Sequence, residues 1–299
     1  MLSDKLLTIF TPTYNREHTL TRLYKSLCNQ TCKDFEWLVI DDGSTDKTRE
    51  LVASFISENN IPIRYIHKEN GGLYTGYNTA YADINTELNV CIDSDDYMPE
   101  NGVEIIKNTW ESRPSDNYAG ITGLDFYAGS NKPIGGFFPE NLKEAYLLDL
   151  YIKGIHRGDS KQVMRSDIMK DLLPMEGFPG EKNFNPIYLL LQAADDLPMI
   201  LINKNLCFVE YQENDSMSKS IWRQYADSPK SFAKLRVMEM GLKRSNFRNN
   251  LRLSVHYDAV CFISKEKRWL SATPKPALAI AAAPAGWILS LIIKMKARQ

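Results

Sequence analysis

The stretch Leu88-Asn89-Val90-Cys91-Ile92-Asp93-Ser94-Asp95-Asp96 is an apolar run that ends abruptly in three carboxylates. The run reads as a buried strand. Carboxylates at i and i+2 of an extended segment point to the same side, so Asp93 and Asp95 are expected to share one divalent cation. Oxygen-only ligands suit Mg²⁺ or Mn²⁺. Capping of the next helix is the competing account for Asp96, which stands ahead of Pro99-Glu100. A second strand of the same design, Trp37-Leu38-Val39-Ile40, ends in Asp41-Asp42-Gly43-Ser44-Thr45-Asp46. Capping accounts for Ser44 and Asp46, but not for Asp41 and Asp42 following the strand directly. Both acidic ends are therefore expected in the crevice at the carboxyl edge of one parallel sheet.

Short apolar runs at Leu6–Phe10, Trp37–Ile40, Ile63–Ile66 and Leu88–Ile92 alternate with helical faces marked by Leu20, Leu23 and Leu27, then Leu51–Ile56, then Tyr77, Ala80 and Tyr81. This β-α alternation predicts an α/β fold with a Rossmann-like, mostly parallel sheet flanked by helices. After the first strand stands Thr11-Pro12-Thr13-Tyr14-Asn15-Arg16 in place of a glycine-rich turn, which disfavours a dinucleotide cofactor. A net charge of −1 gives no general attraction to nucleic acid, which is excluded as a partner. The five cysteines are odd in number and lack a CxxC pair, which favours reduced thiols in the cytosol. Met1-Leu2-Ser3-Asp4-Lys5 does not read as a signal peptide, so the bulk of the chain is expected to stay cytoplasmic.

Thr11-Pro-Thr-Tyr-Asn15, Asp41-Asp-Gly-Ser-Thr-Asp46, Asn70-Gly71-Gly72 with Asn78, and Asp93-Ser-Asp-Asp96 together resemble the family 2 glycosyltransferases of GT-A fold. The likeness is strong over residues 5–110. It continues more loosely to about residue 220, where His156-Arg-Gly-Asp159, Gly180-Glu-Lys182 and Tyr211–Ser218 are similar to bacterial members that build surface polysaccharides. The resemblance implies a glycosyltransferase domain over 1–220, with a nucleotide-binding half (1–110) and an acceptor half (111–220). It implies inverting transfer of a sugar from a nucleotide-activated donor, commonly UDP-linked, to a glycan or lipid-linked acceptor.

Sugar transfer expels a nucleoside diphosphate whose charge grows as the glycosidic bond breaks, and a divalent cation answers that charge. By resemblance Asp95, with Asp93, holds the metal. Asp41 or Asp42 bonds the base or ribose, and Thr11, Pro12, Tyr14 and Asn15 line the base pocket. Gly72, Asn78, Ser94 and Asp96 complete the nucleotide-sugar contacts, Asp96 either touching the donor sugar or capping a helix. Relatives often carry a basic residue near the start of the third helix; this chain has Tyr77, leaving the positive charge to Lys68 or to the metal.

Inversion also needs a base opposite the leaving group. Many relatives carry Glu-Asp, with the aspartate as base, where this chain has Glu181-Lys182. Glu181 is the substitute candidate, and Asp159 and the Asp195-Asp196 pair compete with it. Tyr211–Ser218 reads either as a loop that folds over the donor or as an ordinary connection, with Lys219 and Arg223 in reach of phosphate. A sugar nucleotidyltransferase would need a basic, glycine-rich N-terminal loop that is absent here. A non-catalytic nucleotide-sugar-binding subunit is the other alternative.

Residues 221–299 change character. The locally basic segment 221–270 precedes Ala277–Ile293, which is uncharged, interrupted by Pro284 and Gly286, and followed by Lys294, Lys296 and Arg298. This reads as a helical region lying on the inner leaflet, with packing against a partner or a second copy in a homodimer as the alternative.

Overall fold

A computed structural model describes residues 4–113, 115–210 and 221–298. Strands β1 (Leu7–Thr13), β2 (Phe35–Asp41), β3 (Ile63–His67), β4 (Leu88–Cys91), β5 (Gly120–Tyr127), β6 (Glu144–Ala145), β7 (Ser160–Arg165) and β8 (Met199–Val209) form one sheet in the order β3-β2-β1-β4-β7-β5-β8-β6. The helices are α1 (Leu20–Cys28), α2 (Thr48–Glu58), α3 (Leu73–Asp83), α4 (Gly102–Glu111), α5 (Leu147–Ile152), α6 (Ser166–Asp171) and α7 (Ile187–Ala193). They continue with α8 (Ile221–Asp227), α9 (Pro229–Gly241), α10 (Phe247–Ser264), α11 (Trp269–Ala272) and α12 (Pro276–Lys296).

The first four strands are parallel, as their separation by helices requires. β7 runs antiparallel to both β4 and β5. The four strands and three helices expected over residues 6–92 are present. β1 runs three residues further than its apolar pattern indicated: Thr11, Pro12 and Thr13 stay in register with Val39, Ile40 and Asp41. Both faces of β1 are buried, so Thr11 is fully enclosed. Its hydroxyl donates to the Ile92 carbonyl (2.8 Å) and accepts from Trp37 Nε1 (3.0 Å), which satisfies a polar group in the core.

Two compact units are present. Described residues 4–71, 75–174 and 196–210 form the sheet unit; residues 72–74, 175–195 and 221–298 form the helical unit. On one face of the sheet unit, Leu20, Leu23 and Leu27 of α1 and Val103, Ile106 and Trp110 of α4 form a core cluster with Leu7, Ile9, Trp37 and Val39. Tyr24 stacks on Phe55 with ring centroids 4.0 Å apart and closes that layer over Trp37. Each such large side chain contributes about 1.5–3 kcal/mol through removal from water.

The helical unit is built on α9, α10 and α12. Tyr225, Phe232, Ala259, Val260 and Ile293 make one apolar cluster, and Met240, Leu253, Tyr257 and Cys261 another. α12 buries Ala279, Ala282, Gly286, Ser290 and Ile293, while Ile280, Trp287, Ile288 and Met295 are each more than half exposed. By length and composition this helix could cross a membrane.

Candidate active site

Parallel register carries three loops to one edge of the sheet. Thr13 pairs with Asp41 and Asp41 with His67, while β4 ends beside Phe10. The loops after β1 and β2 are then tied together. Asn15, in a left-handed conformation (φ +54°), accepts at Oδ1 from Thr45 N (2.8 Å), and its own amide donates to Ser44 Oγ (2.9 Å). Tyr14, one residue earlier, stands with its ring exposed. Ser44 thus links loops, and Asp46 does so as well by accepting from Glu17 N (3.2 Å) while serving α2 by accepting from Thr48 N (3.0 Å).

The aspartates after β2 have different settings. Asp41 is fully buried and accepts from Ser44 N (2.8 Å) and from the Tyr65 hydroxyl, which shapes the turn. Asp42 accepts at Oδ1 from Lys68 Nζ (2.5 Å) and Gly71 N (3.0 Å), and Lys68 also donates to Thr75 Oγ1 (2.8 Å). A lysine ammonium is therefore built into this edge, at the position where the sequence left the source of positive charge open. Tyr77 packs its ring on Phe10 at 5.1 Å, and its hydroxyl is held far above the ordinary tyrosine range by burial and then by Cys91 and Asp93. Asn78 follows on α3, half-buried.

The cluster after β4 is a turn rather than a strand extension: β4 ends at Cys91, and Asp96 N donates to the Asp93 carbonyl (3.0 Å). The proximity of Asp93 and Asp95 is therefore a property of this turn and not of strand alternation. Asp93 is exposed, Asp95 half-buried, and Ser94 and Asp96 buried. The capping role for Asp96 is overturned, because α4 starts only at Gly102 with Asn101 ahead of it. Asp96 instead faces Lys161 Nζ at 4.0 Å, and Asp125 lies 3.8 Å from the same ammonium.

Burial pushes Asp96 up to about 7 and Asp125 up to about 6, in each case against the pull of Lys161; neighbouring carboxylates add to the rise. Asp95 is raised by burial and then by Asp93, with Arg16 and Arg22 opposing. Arg22, on α1, donates to the Asp95 carbonyl, pairs with Glu210 and lies 5.2 Å over the Tyr97 ring. Asp159 joins the same neighbourhood, since its charge raises Asp125. Its turn is held where Gly158 meets Gly135: a Cβ at Gly158 would lie 2.1 Å from the Ile134 carbonyl oxygen.

Arg22, Asp125 and Lys161 were not legible as site residues. Arg22 sits on an ordinary helical face, and the other two alternate within strands, so only the antiparallel pairing of β5 with β7 brings them together. Among the described residues no three His, Cys, Asp or Glu side chains converge on one point. Among the described residues the protein alone thus offers a cation the Asp93–Asp95 pair, in surroundings where Asp93, Asp95, Asp96, Asp125 and Asp159 outnumber the cations Lys161, Arg16 and Arg22. That excess of carboxylate, with oxygen-only donors, fits Mg²⁺ or Mn²⁺.

Glu181 belongs to the helical unit, where both its oxygens are taken by the start of α9: Oε1 accepts from Lys230 N (3.1 Å) and Oε2 from Ser231 N (2.7 Å). Gly72 is in contact with the same loop. It has φ +91°, and a Cβ there would lie 2.5 Å from the Lys182 carbonyl oxygen, so no larger residue fits. Asp195, just past α7, accepts from Lys243 N (3.2 Å). The expected donor-covering segment Tyr211–Ser218 and Lys219 lie outside the described residues; Arg223 is exposed on α8.

An ordered β-α-β sheet with acidic loops after β2 and β4 agrees with the model of glycosyl transferase family 2, which matches residues 8–173, more than half of the chain. The chain belongs to glycosyl transferase family 2. Two curated relatives come from Streptococcus pneumoniae serotype 4. Glycosyltransferase GlyA is 32% identical over 151 residues, covering 50% of this chain and 21% of that protein. Glycosyltransferase GlyG is 30% identical over 139 residues, covering 41% of this chain and 46% of that one. The alignments thus span less than half the length of these relatives. Among solved structures, residues 1–349 of Staphylococcus aureus TarS in complex with UDP-GlcNAc superpose with a TM-score of 0.63 at 18% identity, covering 98% of this chain and 91% of that one. The mannosyltransferase PcManGT from Pyrobaculum calidifontis, in complex with GDP-Man and Mn²⁺, gives 0.55 at 15% identity over 98% of this chain and 82% of that one. The chain therefore has the GT-A fold, as its motif order implied, and it is also 35% identical over 100 residues to the hyaluronan synthase of Pasteurella multocida, covering 33% of this chain and 10% of that protein.

Proposed function

We propose that this transferase moves a sugar, with inversion, from a UDP-linked donor to a hydroxyl of a glycan or lipid-linked acceptor in bacterial surface polysaccharide synthesis. The observation that carries the reading is the gathering, within the sheet unit, of the Tyr14 and Asp42–Lys68 loops and the Asp93–Asp96 turn at one carboxyl edge. Tyr14 offers the nucleobase an exposed ring, Asn15 fixes the loop that carries it, and Lys68 and Arg22 supply positive charge toward a diphosphate. Asp95 and Asp93 would hold Mg²⁺ or Mn²⁺, which when bound acts as a Lewis acid for the departing diphosphate.

We assign the base role to Asp159, because both oxygens of Glu181 accept amides of α9. Asp159 takes the proton of the acceptor hydroxyl as that oxygen bonds to the anomeric carbon, and the nucleoside diphosphate leaves from the opposite face with the bonding electrons. A donor-binding subunit without turnover is the second reading, favoured by Lys182 standing where relatives carry an aspartate.

For location, the exposed apolar face of α12 with Lys294 and Lys296 in its last turn supports attachment of a cytoplasmic enzyme to an anionic membrane surface.

Calorimetry with a panel of nucleotide-sugars, with and without Mn²⁺, tests the donor site. Metal-dependent binding of one UDP-sugar is expected, weakened roughly a hundredfold or more in Asp95→Ala, the loss of several kcal/mol of metal-mediated stabilisation. Turnover on an acceptor then separates the two readings. Failure of every donor to bind under either condition overturns both.

A further inference from the structure

Within the sheet unit, between α4 and the β8–β6 edge, lies a cavity of about 680 Å³ whose walls include Asn108, Thr109, Arg113, Lys143, Lys204 and Leu201. A volume of this size is in the range that takes a small ligand. Three cations face one cavity in a protein whose net charge is −1. No carboxylate pairs directly with Arg113, Lys143 or Lys204 among the described residues. Arg113 is linked to Glu144 through Tyr118: its guanidinium lies 5.9 Å from the Tyr118 ring and donates to the Tyr118 hydroxyl (3.4 Å), which in turn donates to Glu144 (2.8 Å).

The backbone under these cations is fixed. Asn203 accepts from Phe138 N (2.8 Å) and donates to the Phe138 carbonyl (2.9 Å), while Leu201 N donates to the Lys143 carbonyl (2.9 Å). Lys143 and Lys204 therefore project from a braced ladder and remain exposed. The donor edge is elsewhere on the same strand, where Phe208 bridges to Tyr97. Residues 201–204 lie four to seven positions back along β8, roughly 13–23 Å at about 3.3 Å per residue. The cavity is thus a separate place on the molecule, too far away for a nucleotide-sugar to fill both.

We propose that this cavity binds an anionic stretch of a glycan chain, with Arg113, Lys143 and Lys204 meeting its phosphates or carboxylates, Asn108 and Thr109 its hydroxyls, and the apolar wall at Leu201 its C–H faces. The anion site stands on the cavity and its charges; the choice of a glycan as ligand rests on the transferase reading above. Held there, a chain stays tethered while its end occupies the donor edge, so the cavity favours long acceptors over short ones.

Calorimetry on the full chain with two probes, a hyaluronan oligosaccharide (carboxylates) and a poly(ribitol-phosphate) oligomer (phosphates), tests this, with a neutral glucan oligosaccharide and inorganic phosphate as controls. At least one anionic oligomer binds, more weakly as salt is raised, and which one binds assigns the anion. Binding falls about fivefold in Lys143→Glu or Lys204→Glu and about twentyfold in the double variant, at unchanged melting temperature and UDP-sugar affinity. Unchanged binding in the double variant overturns the proposal, as does equal affinity for the neutral glucan, displacement by inorganic phosphate at matched ionic strength, or binding of neither oligomer. Loss of UDP-sugar binding with oligomer binding retained would instead overturn the transferase reading and leave the anion site standing.

Discussion

Two buried carboxylate environments stand in contrast. In the sheet unit Asp96 and Asp125 are almost wholly enclosed, yet they share the Lys161 ammonium and border the exposed Asp93 and half-buried Asp95. In the helical unit Asp258, on α10, is also fully enclosed, and neither of its oxygens has a hydrogen-bond partner among the described residues. Burial raises Asp96 and Asp258 alike, each to about 7. The same physical cost therefore has two meanings. Next to a resident cation and an open edge, crowded carboxylates form a receptor for further positive charge; alone between apolar helices, a carboxylate is a stability cost that protonation relieves.

The largest effect that would break this comparison lies at the reacting edge. If Asp159 takes the acceptor proton, Asp159→Asn lowers kcat by about a thousandfold with little change in donor affinity. An unchanged kcat in single-turnover assays would remove Asp159 from the role. Next comes Lys161→Met, which leaves Asp96 and Asp125 without their cation and is expected to cost about 3 kcal/mol in urea unfolding at pH 8. A loss below about 0.5 kcal/mol would mean that the resident ammonium does not support the cluster.

The third concerns Asp258. Its folded value of about 7 lies above the ordinary 3.8, so between those values the folded state holds a proton that the unfolded chain has lost. Stability from this group is fully present below about pH 4 and is lost as pH rises through 7. Asp258→Asn removes that slope and raises stability at pH 8 by about 2 kcal/mol, read from unfolding curves at several pH values. A wild type whose helical unit holds constant stability from pH 5 to pH 8 would sharpen the contrast in the other direction, by giving Asp258 a hidden partner. Smallest is Glu181→Ala, which removes the acceptor for two amides of α9 and costs about 1 kcal/mol of stability, with kcat unchanged once the protein is folded. A thousandfold drop in kcat instead would return the base role to Glu181.

Legibility followed the range of the interactions. The strands and helices of residues 6–92 could be read because each is set by local periodicity, and the acidic strand ends stood out because carboxylates there oppose burial. Register was less legible: Thr11–Thr13 look like a loop but stay in β1, since pairing with β2 on one side outweighs the local presence of proline. The Asp93–Asp96 segment looked extended and is a turn, closed by one backbone hydrogen bond that no side-chain pattern announces.

The order of the motifs, the family they mark and the aspartates at the sheet edge were settled by the sequence alone, because each rests on residues adjacent in the chain. Which carboxylates act together was decided by the tertiary structure. Lys161 reaches Asp96 and Asp125 only because β7 runs antiparallel beside both β4 and β5, and Glu181 is committed to α9 by amides 49 and 50 residues downstream. Charges interact through distance in space, and the chain fixes that distance only when its strands and helices are packed.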